Sequence, residues 1–221
     1  MPGYRYADSP LDLIVVTALC FGWFILASVL AVMAGFPAQP FSDAALIGVV
    51  LIEIVFGSLA LGYLRFRGHE LRALFPRPTI PESVFGVGLY VASAIVSWVF
   101  VAALLPHDVA EQNQPIEEMV SNATISAGPV IGASLINGIY EEVFLIGYLQ
   151  RALQPSGASF AIGISLLVRV LYHLYQGPMG AISVLGFGLI LSLYYVRTQR
   201  LWPIIVAHIL ADVLAFAAAA P

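Results

Sequence analysis

Glu141 and Glu142 stand side by side inside an apolar stretch that runs from Gly128 to Leu149 and is long enough to cross a bilayer. A charge at the centre of a spanning helix costs about 2.5–3.5 kcal/mol on insertion scales, so an intramembrane carboxylate marks a functional site by default. Helical geometry gives the two residues different surroundings. Ser134, Asn137 and Glu141, spaced by three and four, share one face, and Glu142 is turned about 100° away from it. A second polar stripe follows in Ser165, Arg169, His173 and Gln176, at i, i+4, i+8 and i+11. A third pairs His208 with Asp212 at i and i+4 in a run otherwise made of Ile, Val, Leu, Ala and Phe. Polar faces in a membrane turn into the bundle rather than toward lipid, so the three are expected to converge.

Glu141, His173, His208 and Asp212 together permit two hydrolytic chemistries. In one, Glu141, His173 and His208 hold a divalent metal such as zinc with an open position, lowering the pKa of a bound water to about 7. In the other no metal is used, and Glu141, helped by His173, acts as general base on water. His208 then faces the carbonyl oxygen as it becomes an oxyanion, and Asp212 holds the ring. Ligand type alone does not separate the two.

The run Glu141-Glu142-Val-Phe-Leu-Ile-Gly-Tyr-Leu-Gln, then Tyr172-His173-Leu-Tyr-Gln-Gly, then His208-Ile-Leu-Ala-Asp212 resembles the three motifs of the CPBP family. This group comprises CAAX prenyl proteases and bacteriocin-processing or immunity-associated (Abi-like) membrane proteins. Its pattern is EExxxR, FxxxH and HxxxN or HxxxD on successive spans of an all-helical bundle. The resemblance covers residues 128 to 215. It implies Glu141 as the water-activating carboxylate with His173 beside it, and His208 with Asp212 completing the site; Glu142 supports it. Two positions depart from the pattern: Ile146 replaces the arginine of the first motif, and Arg169 the phenylalanine of the second. An exchange accounts for both, with Arg169 supplying from the next helix the positive charge that pairs with Glu142. Asn137, on the face of Glu141, supports the site.

These groups must be carried by membrane helices. The chain has 221 residues, 60% of them hydrophobic and 10% charged, against about 25% charged in soluble domains. Seven apolar stretches, about 12–35, 44–64, 84–105, 128–150, 158–175, 179–196 and 201–220, are each of spanning length. The fold class expected is an all-α polytopic bundle of about seven transmembrane helices. It forms a single membrane domain, with residues 1–127 contributing three spans and an outer loop and residues 128–215 a four-span core. All nine basic residues are arginine. Arg5, Arg65, Arg67, Arg72, Arg77, Arg151, Arg197 and Arg200 all fall on one side of this arrangement, which puts the N-terminus in the cytoplasm. Within the segment 106–127, Ile116, Met119 and Val120 recur at helical spacing and predict a short helix lying at the interface. The single Cys20 reads as a small buried hydrophobe.

Spans one to three contribute only hydrophobicity on this reading. Glu53, alone in the second, carries no motif and reads as structural, either a protonated core acid or a partner of Arg169. His69, His107, Glu117 and Glu118 read as solvated. No basic tail points to nucleic acid. The partners expected are the lipid bilayer and a membrane protein or peptide substrate, and the location is a cell membrane crossed several times. Lysine-free, arginine-rich composition suits a GC-rich bacterial gene and hence the bacterial inner membrane. The leading function is an intramembrane endopeptidase. The alternatives are a non-catalytic immunity or regulatory protein on the same scaffold, which Ile146 favours, and a proton-coupled transporter, against which stands the lack of repeat symmetry.

Overall fold

The starts of the first three long helices are written into the chain as a Ser or Thr directly before the first helical residue. Ser9 precedes Pro10 of α1 (Pro10–Met33), the Ser42 hydroxyl accepts from the Ala45 amide to cap α2 (Asp43–Phe66), and Thr79 accepts from Glu82 to cap α3 (Ile80–Leu104). Each cap is worth about 1 kcal/mol. The short α4 (His107–Ala110) and α5 (Pro115–Ser121) follow, then α6 (Ala127–Glu141). At Glu142 the rod changes pitch and continues as a π-helix to Gln150, closed by the single turn α7 (Arg151–Leu153). The last three helices are α8 (Ala158–His173), α9 (Gly177–Thr198) and α10 (Trp202–Ala219). This computed structural model describes residues 9–36 and 39–219, so Arg5 and Ala220, used in the span and orientation arguments, lie outside the described residues.

Five helical stretches are long and apolar enough to cross a membrane: Pro10–Met33, Asp43–Phe66, Ile80–Leu104, Ala127–Ser156 and Ala158–Thr198. Trp202–Ala217 is a shorter apolar helix. The 41 residues of Ala158–Thr198 do not form one straight rod. A single 3-10 turn at Leu174–Gln176 and a positive φ of 79° at Gly177 fold α9 back against α8. Positive φ is the conformation glycine tolerates best.

The π-helix is the axis of the bundle. All nine of its residues are buried, and α1, α6, α8, α9 and α10 pack around it. A helix apolar on every side belongs in an interior. By contrast α1, α2 and α3 turn Ile14, Trp23, Leu26, Ile54, Leu59, Val91 and Ile95 outward, the surface a lipid-facing helix presents. Close approaches at glycine set the helix spacing, as in membrane bundles generally. At Gly138 of α6 an added Cβ would lie 2.8 Å from Ile209 Cγ1 of α10, and at Gly86 of α3 one would lie 2.6 Å from Val206 Cβ of α10.

Two sets of contacts tie the ends of the bundle. At one end Asp12 accepts from Tyr63 Oη at 2.7 Å and Arg67 Nε at 2.8 Å, and His69 Nε2 lies 3.5 Å away. The carboxylate strengthens the hold of Arg67 on its proton. This corrects the expectation of a solvated His69, whose side chain is 11% exposed: the loop after α2 turns back over the start of α1, and Asp12 gives the ring a partner there. His107, 91% exposed, is solvated as expected. At the opposite end the Ser126 amide and hydroxyl both donate to Asp43 at 2.7 Å, and the Thr124 amide donates to the Phe41 carbonyl. The short helix expected within 106–127 is present as α5, where the Gln114 amide at its start donates to Glu117.

Candidate active site

The change of pitch at Glu142 is where the charged side chains gather. Glu141 closes the α-helical segment and Glu142 opens the π-helical one. The i→i+5 hydrogen bonding of a π-helix is rare and frequent at functional sites. Both carboxylates are buried, and each has its own set of partners.

Glu142 is fully buried, and Arg169 Nη2 donates to both of its oxygens, at 2.8 and 2.9 Å. The Arg169 side chain is 1% exposed, and Gly188 of α9 makes room for it: a Cβ there would stand 2.7 Å from Arg169 Cδ. Glu142 Oε1 also lies 2.5 Å from His208 Nδ1. The Glu142 carboxylate therefore links α8 to α10. The exchange read from Ile146 and Arg169 has this geometry, because the buried guanidinium sits against Glu142 and Ile146 is enclosed as a core side chain.

Glu141 faces the other way. Asn137 Nδ2 donates to its Oε1 at 3.1 Å, and the Tyr172 hydroxyl donates to its Oε2. Tyr172 is held flat against Phe21 of α1, with ring centroids 5.2 Å apart. Arg169 Nη1 lies 3.6 Å and His208 Nε2 3.8 Å from Glu141 Oε2. His173 ends α8 with Nδ1 2.9 Å from the Arg169 carbonyl oxygen, an arrangement that leaves Nε2 as its free nitrogen. Asp212 Oδ1 stands 3.7 Å from His208 Nε2. That is beyond hydrogen-bond reach, so the partner that orients the His208 ring is Glu142 rather than Asp212, contrary to the expectation from the i, i+4 spacing. The spacing is satisfied on α10, but the neighbouring helix brings a closer carboxylate.

Glu141, Glu142, Arg169, His173, His208, Asp212 and Asn137 are thus all in one neighbourhood. Two participants were not legible in the motifs. Tyr172 stands in the second motif only as the residue before His173. Glu53 of α2 is 1% exposed and accepts from Asn137 Nδ2 at 2.6 Å. Its partner is Asn137 and not Arg169, and α2 therefore brings more than hydrophobicity. A polar residue alone in an apolar span was the available signal.

Two cavities flank this cluster. One, of about 540 Å³, is lined by Phe21, Phe24 and Ala31 of α1 and Met119 of α5, and reaches Glu141 and His173. The other, of about 580 Å³, lies among α3, α9 and α10 and reaches Arg169, His208, Asp212 and again His173.

The residues do not suit a zinc ion. Among the described residues, the three donors with ligand atoms within 4.8 Å of one another are Glu141, Glu142 and His208, and His173 is not one of them. Both Glu142 oxygens are taken by Arg169, and Oε1 by His208 as well. That leaves two donors beside a guanidinium, where a catalytic zinc site uses three protein ligands.

No curated protein and no solved structure matches this chain. Residues 122–214, less than half of the chain, match the family model described as type II CAAX prenyl endopeptidase Rce1-like. That stretch carries α6, the π-helix and α8 to most of α10, and with them Glu141, Glu142, Arg169, His173, His208 and Asp212. The part of the chain that builds the charged cluster is the part similar to that endopeptidase family, as the motif resemblance implied.

Proposed function

We propose that this protein is an intramembrane endopeptidase that hydrolyses a peptide bond of a membrane-associated protein or peptide with water activated by Glu141. The observation that carries the reading is the placement of Glu141. It is a buried carboxylate reached from an apolar cavity, with Tyr172 and Asn137 holding its oxygens and the Nε2 edge of His208 3.8 Å away.

Glu141 takes a proton from water as the water oxygen attacks the scissile carbonyl carbon, and the proton then passes to the leaving amine nitrogen as the C–N bond breaks. His173, at the wall of both cavities, borders the path of the water and assists this transfer. His208, fixed through Nδ1 by Glu142, turns Nε2 toward the carbonyl oxygen and stabilises its developing charge. Asp212 adds a carboxylate 3.7 Å from the same Nε2. A helical substrate hides its carbonyls in its own hydrogen bonds, so the segment to be cut unwinds before reaching Glu141.

The membrane arrangement that fits this chemistry has seven crossings, with α8 and α9 as separate spans and the N-terminus in the cytoplasm. The fold-back at Gly177 supports separate spans. The Asp12, Arg67 and His69 cluster gathers the start of α1 and the end of α2 at one end of the bundle, in keeping with the arginine distribution. A bacterial inner membrane suits the lysine-free composition.

The test uses the purified protein in proteoliposomes with two internally quenched probes, a prenylated CAAX-type peptide and an unlipidated transmembrane peptide. Cleavage of either one that is lost in Glu141→Gln is the expected result. Equal cleavage by the parent and Glu141→Gln would exclude the mechanism, and cleavage of neither would favour a non-catalytic role for the scaffold.

A further inference from the structure

Asn137 has one side-chain NH2 group, and its two hydrogens go to two different carboxyl groups. Nδ2 lies 2.6 Å from Glu53 Oε1 and 3.1 Å from Glu141 Oε1. The angle between the two N–H bonds is fixed by the planar amide. Where Glu53 holds the amide therefore decides where the second hydrogen points, and so where Glu141 Oε1 rests.

Glu53 itself is an oddity that the family motifs do not cover, since α2 lies outside residues 122–214. Its side chain is 1% exposed, and among the described residues it has no ion-pair partner. Its second oxygen, Oε2, is buried with no hydrogen-bond partner. The titratable groups that face it are Glu141 and Tyr140 of α6 and Asp212 and His208 of α10. An unpaired carboxylate buried there would be strongly unfavourable, and such a group takes up a proton instead. The neutral acid still accepts from Asn137 through Oε1, and it adds no second negative charge beside Glu141.

Resting on the endopeptidase reading, we propose that Glu53 is a positioning residue: a neutral carboxylic acid in α2 that aims Asn137, and through it the Glu141 carboxylate. Gly57, one helical turn along α2, keeps this helix close, because a Cβ there would be 3.3 Å from the Tyr140 ring.

The role separates from a general structural one by the choice of substitutions. Glu53→Gln keeps an oxygen that accepts from Asn137 and carries no charge, so kcat and KM stay within about threefold of the parent. Glu53→Ala releases the amide, so kcat falls about tenfold to a hundredfold while KM moves less than twofold, the size of effect seen when an orienting partner is removed. In the double variant with Asn137→Ala, the loss is no larger than that of either single change. Infrared spectra of the protein without substrate should contain a protonated-carboxyl C=O band that is absent from Glu53→Gln. This last measurement needs no activity, so it stands if Glu53→Ala does not fold or if the endopeptidase reading itself fails. A spectrum in which Glu53→Gln removes no such band, or a Glu53→Gln enzyme as slow as Glu53→Ala, would overturn the proposal and leave the role of Glu141 untouched.

Discussion

Arg169 and Glu142, 27 positions apart in the chain, meet inside the bundle through a single guanidinium nitrogen that serves both carboxylate oxygens, at 2.8 and 2.9 Å. Neither side chain has water to fall back on, with 1% and 0% exposed. The pair is therefore held by mutual need rather than by net attraction. The desolvation of two buried charges consumes much of their Coulombic gain, and breaking such a pair strands the survivor.

Removing one partner is expected to destabilise far more than removing both. Arg169→Met leaves Glu142 with only His208 and should cost about 3–5 kcal/mol, whereas Arg169→Met with Glu142→Leu should recover most of that loss. Denaturation in detergent micelles, followed by circular dichroism, reads both. An Arg169→Met protein as stable as the parent would remove the basis for the exchange between Ile146 and Arg169.

Glu141→Gln should keep the fold and lose the chemistry. The substituted amide keeps an oxygen that accepts from Asn137 and presents its NH2 to the Tyr172 hydroxyl, which can turn to accept, but it takes no proton from water, and loss of a general base lowers kcat by about 10²–10⁴-fold. Thermal melting within a few degrees of the parent is the accompanying result.

His208 and Asp212 should separate in size. His208→Ala removes the group aimed at the oxyanion and should lower kcat by about 10²–10³-fold. Asp212→Asn should cost less than tenfold, because Glu142 at 2.5 Å, and not Asp212 at 3.7 Å, fixes the ring. Steady-state kinetics on one cleaved probe decides the order, and equal losses would return the orienting role to Asp212.

Chelation should leave cleavage unchanged, and metal analysis of the purified protein should find well under one divalent ion per chain. The reason is the donor set: Arg169 occupies the oxygens of Glu142 that a metal would need. Loss of activity on chelation with recovery on adding zinc would contradict it.

Narrowing the cavity beside Glu141 should change binding before chemistry. Ala31→Trp projects into the space lined by Phe21, Phe24 and Met119, so KM for an apolar peptide should rise at least fivefold with kcat little changed. An unaltered KM would place the substrate in the other cavity, between α3 and α10.

The all-helical fold was legible from composition and run length, and the gathering of Glu141, His173 and His208 from polar stripes at helical spacing. What escaped was tertiary in origin. The i, i+4 pairing of His208 with Asp212 is a property of one helix, and only the packing of α10 on the π-helix brings Glu142 closer. The pitch change at Glu142 coincides with the all-round burial of residues 142–150, and local periodicity encodes neither. Glu53 is separated from Asn137 by 84 positions, with no spacing rule to connect them. His69 reads as solvated because nothing near it in the chain announces Asp12.

Glycine marks which face of a helix fits tightly against a neighbour and which face is open. Gly86, Gly138 and Gly186 each bring a backbone so close to a neighbouring helix that one added carbon would collide, whereas Gly22 of α1 and Gly48 and Gly62 of α2 face open space. The tight contacts surround α10 and α9, which carry His208 and enclose Arg169. Open glycines occur in α3, α6 and α8 as well, at Gly88, Gly132 and Gly163, on faces turned away from neighbouring helices. Side-chain changes at the positions of α1 and α2 that turn away from the glutamates, Gly22, Gly48 and Gly62 among them, can therefore be absorbed with the hydrolytic geometry preserved, whereas Glu53 and Gly57 of α2 belong to the tightly fitted part.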